Sequence, residues 1–349
     1  MIATGLIIFL CWQGIIQPLV GCYRQIWHER ARKFDKGHFL RCKRALLLLK
    51  KYKLIQTTQS LQVISIIEPM LTTIAELRSF IQVQRCAEKR IGLVPTMGAL
   101  HEGHLSLVKL ANERCDSTIV SIFVNPTQFG PNEDFSRYPR TLENDLRLLE
   151  SADVSAVFVP DTSEVYPTGF ETSISVGGVS VPFEGAVRQR HFDGVATVVL
   201  KLFLASQADV AFFGQKDYQQ LCVIKKMVAD LNVPIEIVMG KTVREPDGLA
   251  MSSRNRYLSE TQRSQAIVLS QSLAVAEKMI VTENVHSAET IRQAMHDMIL
   301  SAGGMTVDYI AIVDPITLQE LEKIGADTII LLAVRLGSTR LIDNILVKI

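Results

Sequence analysis

From Ile74 onward, segments with apolar residues at helical spacing alternate with short β-branched runs bounded by Gly or Pro, and few architectures accept that order. Helical spacing over Ile74–Arg85 leads into the apolar run Ile91–Val94, then into a helix over Leu105–Arg114. The cycle repeats with a strand at Thr118–Val124, a helix at Thr141–Ser151 and a strand at Ala156–Val159 that stops at Pro160. It resumes with a helix over Val195–Ser206, a strand over Val210–Phe213, a helix over Asp217–Asn232 and a strand over Ile235–Met239. A helix between consecutive strands supplies the long crossover that parallel pairing needs, which predicts an α/β domain with a doubly wound parallel sheet. Past Arg244 the texture changes to a polar loop, helices near Glu260–Val281 and Ser287–Ser301, and strands near Val307–Val313 and Thr328–Val334. This predicts a smaller C-terminal α+β domain, and so a division into 70–243 and 244–349.

Residues 1–69 read differently. They hold eleven Lys/Arg against three Asp/Glu, leaving 26 against 33 for the remainder, and both tryptophans, Trp12 and Trp27. Ile2 to Val20 is mostly apolar and is followed by Arg24, Arg30, Arg32, Lys33 and Lys36, the order of a weak membrane anchor with cytoplasmic positive charge. Gln13, Gln17 and Pro18 interrupt that run, and no charged leading segment or small-residue cleavage site marks a secretory signal. The preferred reading treats 1–69 as a basic and apolar extension outside the folded domains, with Met70 near the natural start. Membrane contact is expected only if that extension is a working anchor.

The formal net charge is +1, which predicts no strong attraction to polyanions and excludes nucleic acid as a default partner. The six cysteines show no CxxC spacing, and Cys86, Cys115 and Cys222 are scattered through the later segment. A reducing, cytoplasmic setting is expected.

The chemistry concentrates where the first predicted strand hands over to a helix, in Val94-Pro95-Thr96-Met97-Gly98-Ala99-Leu100-His101-Glu102-Gly103-His104. Ligands of doubly wound sheets bind at such strand ends. Gly98 suits a sharp turn and Gly103 a close approach of phosphate to the backbone, while the following helix N-terminus favours negative charge. His101 and His104 are three apart and can face one point. The glycines have P-loop spacing, but His104 stands where lysine belongs and Leu105 where Ser or Thr belongs. A zinc-protease pair would need histidines four apart, and no Cys or third His lies nearby.

His-x-Gly-His in this setting resembles the nucleotidyltransferase superfamily shared with class I aminoacyl-tRNA synthetases. The longer spelling Pro95–His104 narrows the resemblance to the pantothenate synthetase family, also called pantoate–β-alanine ligases. Four further blocks agree: Val124-Asn125-Pro126-Thr127-Gln128-Phe129, Tyr138-Pro139-Arg140-Thr141, the run from Phe213 to Gln220, and the run from Val243 to Asn255. Together they span about residues 70–349, roughly four fifths of the chain.

The resemblance implies a Rossmann-like sheet and a two-step ligation that consumes ATP. The pantoate carboxylate attacks the α-phosphorus to give an acyl-adenylate and pyrophosphate, and β-alanine then takes the acyl group and releases AMP. The family pattern implies that His101, His104, Lys216 and Arg254 stabilise the phosphate charge, with His104 as proton donor. It implies further ATP contacts from Met97, Gly98, Ala99, Leu100, Glu102 and Gly103, from Gly214, Gln215 and Asp217, from Val243, and from Met251, Ser252 and Ser253. Ser252-Ser253-Arg254 would be a mobile phosphate loop, freed to close by Gly248. Gln128 and Gln220 would hold pantoate, Gln128 would also border β-alanine, and Asn125, Tyr138, Arg188 and His191 are further candidates for that pocket. Mg2+ is implied together with ATP, with no protein ligand singled out, and a homodimer is expected.

The chain departs from the family pattern in a few places. Arg188-Gln189-Arg190-His191 stands where the family usually has Arg-Pro-Gly-His, so this loop is expected to move differently. Gln215 replaces a usual Glu, and Lys241 stands where Pro is common. Two other readings compete: an enzyme of the same superfamily that adenylates another small acid or transfers a nucleotide, and a membrane-attached, catalytically silent nucleotide-binding protein, suggested by the apolar start and the altered 188–191 loop. Gln128, Gln220 and Tyr138-Pro139-Arg140 argue against the first, and the intact charged positions against the second.

Overall fold

The computed structural model describes residues 69–131 and 133–349, so the expectations for the N-terminal extension lie outside the described residues. Six parallel strands form the larger sheet: β1 (Met70–Leu71), β2 (Ile91–Thr96), β3 (Ser117–Ile122), β4 (Ala156–Phe158), β5 (Val210–Gly214) and β6 (Glu236–Gly240). Their spatial order is β1-β4-β3-β2-β5-β6. From β2 the chain builds outward through β3 to β4, then returns to lay β5 on the other flank of β2. The order therefore reverses between β2 and β5, where Gly92 is opposite Val210 and Leu93 opposite Ala211. A crevice at the C-terminal ends of these two strands is where a fold of this kind takes its ligand.

Helices α1 (Ile74–Cys86), α2 (Glu102–Arg114), α3 (Leu142–Glu150), α4 (His191–Ser206) and α5 (Tyr218–Asp230) cover both faces. The two-residue period of a strand decides which side chain meets which layer. Leu93, Ile119, Ala211 and Phe213 join a core with Leu77, Val195 and Leu221 of α1, α4 and α5. Val94, Val120, Val210 and Phe212 meet Leu107, Val108 and Leu149 of α2 and α3 on the other side. Strands buried on both faces lose polar alternation, which is why they read as continuous apolar runs.

Beyond the sheet come α6 (Glu260–Ala266), α7 (Val268–Val281) and α8 (Ala288–Ser301), then an antiparallel sheet of β7 (Met305–Val313), β8 (Thr328–Leu336) and β9 (Thr339–Val347). One face packs Ile310, Ile312, Ile330 and Leu332 against α7 and α8. The other face places Ala311, Val313, Ile329 and Leu331 against Tyr218 and Cys222 of α5, and the Tyr218 hydroxyl donates to the Pro315 carbonyl at 3.0 Å. The second sheet thus leans on the helix that begins at the end of β5.

Three elements differ from expectation. β1 pairs with Val157 and Phe158, but two residues are too few to leave a periodic signal. The single helix expected over Glu260–Val281 is two, broken at Ile267. Polar ties set the direction of α6, from Arg263 to Glu245 and from Gln265 to the Ala302 carbonyl, whereas α7 follows its apolar face of Leu269, Leu273 and Ala276. β9 went unpredicted because Asp343 and Asn344, both buried, interrupt its apolar pattern.

Gly194 sets how closely α4 approaches the 3-10 turn Pro126–Gln128. A Cβ there would lie 2.4 Å from the Thr127 carbonyl oxygen and 2.7 Å from the Gln128 nitrogen, contacts with backbone that no side-chain movement relieves. Gly194→Ala is expected to cost about 1–3 kcal/mol, the scale of an overpacked site, read as a lowered melting temperature. Gly214→Ala, with open space and φ near −76°, should change stability by less than about 0.5 kcal/mol.

Candidate active site

After β2 the chain turns through two left-handed residues, Gly98 at φ +78° and Ala99 at φ +50°. Glycine tolerates this; alanine is strained by about 1–2 kcal/mol. The buried Asp145 of α3 holds the turn, its two carboxylate oxygens accepting the Ala99 and Leu100 N–H groups at 2.9 Å each. Nothing in the sequence pattern singled out Asp145, which lies in an ordinary amphipathic helix. Its grip means that the Ala99 and Leu100 N–H groups are already engaged.

His101 caps α2, and the two imidazoles interlock with the first helical turn. The Gly103 N–H donates to Nδ1 of His101 at 3.1 Å, and the His101 N–H to Nδ1 of His104 at 3.3 Å. The ring centroids are 4.2 Å apart. With both Nδ1 atoms accepting, a neutral ring carries its proton on Nε2, so each histidine presents a fixed Nε2–H donor. Burial first, and then Lys216, pushes the His101 pKa down to about 4; burial, His101 and Lys216 push His104 down to about 3. Gly103 also serves the rings: a Cβ there would lie 2.9 Å from the His101 imidazole, so glycine gives clearance for that side chain.

Across the crevice, β5 ends in the 3-10 turn Gln215–Asp217, which carries Lys216. Gln215 turns away, its amide donating to Asn344 of β9 at 3.3 Å. The adjacent glutamines have opposite fates. Gln219 is buried and holds the Glu184 N–H together with the Val179 and Pro182 carbonyls, whereas the Gln220 amide has no hydrogen-bond partner among the described residues and borders the crevice.

Gln128 sits at the crevice floor. Asn125, fully buried, donates to its Oε1 at 3.1 Å and to the Gly194 carbonyl at 3.1 Å, while accepting from Tyr166 at 2.8 Å. Asn125 therefore orients Gln128. His191 props the same turn: Arg188 donates to its Nε2 at 2.9 Å, which leaves Nδ1–H to bond the Gln128 carbonyl at 2.8 Å. Burial, then Arg188, holds His191 down to about 4. Arg188 in turn makes a two-point pair with Glu133, 2.7 Å at each contact.

The double-serine loop follows a tight turn closed by a bridge between Arg244 and Ala250. Gly248, at φ +95°, donates to the Glu245 carbonyl at 2.8 Å and so shapes this turn. Ser253 donates to the Ala99 carbonyl at 3.1 Å, docking the loop on the turn after β2. Arg254 lies 5.9 Å from the Tyr138 ring centroid and pairs with Asp134 through Nε at 3.1 Å and a terminal nitrogen at 3.0 Å.

These groups surround one cavity of about 220 Å³. It opens into a cleft of about 650 Å³ that shares Arg188, His191, Lys216, Asp217, Ser252 and Arg254. Of the residues singled out in the sequence, Met97, His101, Gly103, His104, Gly214, Val243, Met251, Ser253, Asn125, Gln128, Tyr138 and Gln220 also line the cavity. Gly98, Ala99, Leu100, Glu102 and Gln215 do not; the first three form the turn, Glu102 is exposed and Gln215 faces β9. No cluster of three His, Cys, Asp or Glu among the described residues could hold a metal ion.

A doubly wound parallel sheet with a paired-histidine turn at its switch point, and two cations facing it, defines a Rossmann-like α/β enzyme. A profile of the family described as Pantoate-beta-alanine ligase matches residues 69–346, so the chain belongs to the pantoate–β-alanine ligase family. A pantothenate synthetase of Acetivibrio thermocellus is 49% identical over 280 residues, 80% of this chain and 99% of its own. The crystal structure of pantothenate synthetase from Thermus thermophilus gives a TM-score of 0.75 at 45% identity, covering 79% of this chain and 98% of that one. A pantoate-beta-alanine ligase from Francisella tularensis, solved in complex with beta-gamma ATP and beta-alanine, gives 0.64 at 35% identity, covering 79% and 97%.

The altered loop also has a concrete structure. Arg190, standing where the family usually has glycine, is left-handed at φ +61° with its side chain exposed. Arg190→Gly is expected to raise stability by up to about 1 kcal/mol, since relief of strain exceeds the added chain entropy; a lowered melting temperature would contradict this.

The histidines predict a pH dependence of fixed sign. Unfolded, they titrate near 6.5; folded, they stay neutral to about 4 or below. The unfolded chain therefore binds more protons between these values, and stability falls as pH drops from about 6.5 toward 4. Imidazole NMR of the protein without ATP should show the three rings neutral at pH 6, with Nε2–H for His101 and His104 and Nδ1–H for His191.

Proposed function

We propose that this chain condenses pantoate with β-alanine at the expense of ATP, through pantoyl-adenylate, giving pantothenate, AMP and pyrophosphate. The observation that carries the reading is the convergence of two fixed imidazole N–H donors, Lys216 and Arg254 on one cavity at the strand-order reversal. Carboxylate attack on a phosphate brings two anions together, and donors aimed at the departing pyrophosphate offset that repulsion.

In the first step a pantoate carboxylate oxygen attacks the α-phosphorus and the bond to pyrophosphate breaks. His101 and His104 donate through Nε2–H, Lys216 and Arg254 supply charge, and Ser252 adds a hydroxyl donor, while Ser253, its hydroxyl bonded to the Ala99 carbonyl, holds the loop in place. The negative charge of bound phosphates raises both imidazole pKa values from their low resting levels, moving His104 toward proton donation. Met97 and Val243 flank the nucleotide, and Asp217 meets the ribose. Gly98, Ala99 and Leu100 act through the shape of the turn.

Gln128 and the unpartnered Gln220 hold the hydroxyls and carboxylate of pantoate, while Phe123, Val195 and Val199 offer its two methyl groups an apolar wall. In the second step the β-alanine amine, near Gln128, attacks the acyl carbon and AMP leaves; no protein nucleophile takes part. Mg2+ would accompany ATP as part of the substrate and supply Lewis-acid charge at its phosphates; Glu133 and Asp134, beside the cleft, are engaged by arginines.

The reading extends to organisation: 70–243 as the nucleotide- and pantoate-binding domain and 244–349 as the smaller domain. Among the described residues no helix is long and apolar enough to cross a membrane. A cytoplasmic homodimer accords with the family resemblance.

Pyrophosphate release should require pantoate and should not occur with acetate or amino acids in its place. His104→Ala is expected to lower turnover at least ~10²-fold, the scale for deleting a transition-state donor. Gln220→Ala should raise KM for pantoate and leave KM for ATP nearly unchanged; the reverse pattern would mean the pocket is misassigned.

A further inference from the structure

The turn that carries Lys216 is only three residues long, and its direction is set from outside. Its carbonyls face β9 of the second sheet, where Asn344 is 2% exposed. The Asn344 amide donates to the Gln215 carbonyl at 3.0 Å and to the Lys216 carbonyl at 2.9 Å, while its oxygen accepts from the Gln215 side chain at 3.3 Å. Both donors and the acceptor of one buried amide are thus committed to this turn. The neighbouring Asp343, also buried, pairs with Arg244 at 2.7 and 3.0 Å and accepts the Asn344 N–H at 2.8 Å, which fixes the strand where Asn344 reaches across.

A polar side chain at this depth, cross-strand from Leu331 on the face turned to α5, is disfavoured unless fully bonded. Its bonds all go to the segment that aims the ammonium group. We propose that Asn344 is a positioning residue for adenylate formation: from the second sheet it holds the backbone of Lys216 so that the lysine meets the phosphates beside the paired histidines. The inference rests on the reading of Lys216 as a phosphate ligand.

The test is a double-mutant cycle on pantoate-dependent pyrophosphate release. Asn344→Ser keeps a polar group but cannot reach both carbonyls; Asn344→Asp keeps the shape and turns the donor into an acceptor facing two oxygens. On the native background each is expected to lower kcat by about tenfold or more, with KM for β-alanine within about twofold. On a Lys216→Ala background the further loss should be under about twofold, because residues acting as one unit do not add. Should Asn344→Asp fail to fold, Asn344→Ser carries the same comparison. Equal losses on the two backgrounds, or an unimpaired Asn344→Ser enzyme, would overturn the proposal. A Lys216→Ala enzyme of normal rate would instead sink the phosphate reading of Lys216, and the inference with it, by a result distinct from either.

Discussion

The site depends on a buried carboxylate holding a strained turn. Two left-handed residues in succession would not persist at Gly98–Ala99 without compensation, and Asp145 supplies two charge-assisted hydrogen bonds to the following N–H groups. Each such bond contributes about 1.5–3 kcal/mol, against about 1–2 kcal/mol of strain at Ala99, so the bonds win. Everything downstream inherits that geometry. The turn fixes where α2 begins, the first turn of α2 locks the two imidazoles, and the Ala99 carbonyl gives Ser253 its dock.

The charges around the cavity are similarly arranged in opposed pairs. Arg188 is held by Glu133 and Arg254 by Asp134, two neighbours on one segment that reach to different walls. The imidazoles, close to Lys216, are kept neutral by burial and by that charge. Neutral rings with a fixed tautomer donate hydrogen bonds without adding positive charge beside Lys216. Negative charge entering the cleft changes the balance in the direction the reaction requires.

Much of this was legible in the residues. The strand and helix order followed from periodicity because the doubly covered sheet buries both faces of its strands, leaving plain apolar runs such as Ile91–Val94 and Val210–Phe213. The His-x-Gly-His turn, Lys216, Gln128 and the Ser252–Arg254 loop were recognisable as blocks because each is compact in sequence. What escaped were partners brought in from afar: Asp145 from α3, Tyr166 beneath Asn125, and Asn344 from a strand whose own polar residues hid it. Helical spacing alone does not separate Gln219 from Gln220; only the family pattern singled out Gln220, and helix rotation is what gives Gln219 to the backbone and turns Gln220 to the cavity. Gly103 and Gly248 also have structural duties the sequence did not show, clearance for the His101 imidazole and a tight turn at positive φ, because such duties leave the same letter in the chain as any other need for glycine.

The reach of Asn344 has a kinetic side. Its bonds to the Lys216 turn join residues 128 and 129 positions apart, so closing them follows the folding of an entire second sheet. Contacts of such separation form slowly, since the intervening chain must lose its freedom before they give anything back. A nascent chain in which only the first sheet has folded would already display the paired histidines while leaving the lysine unaimed. The backbone of Gln215 and Lys216 is thus fully tied only once both sheets are in place.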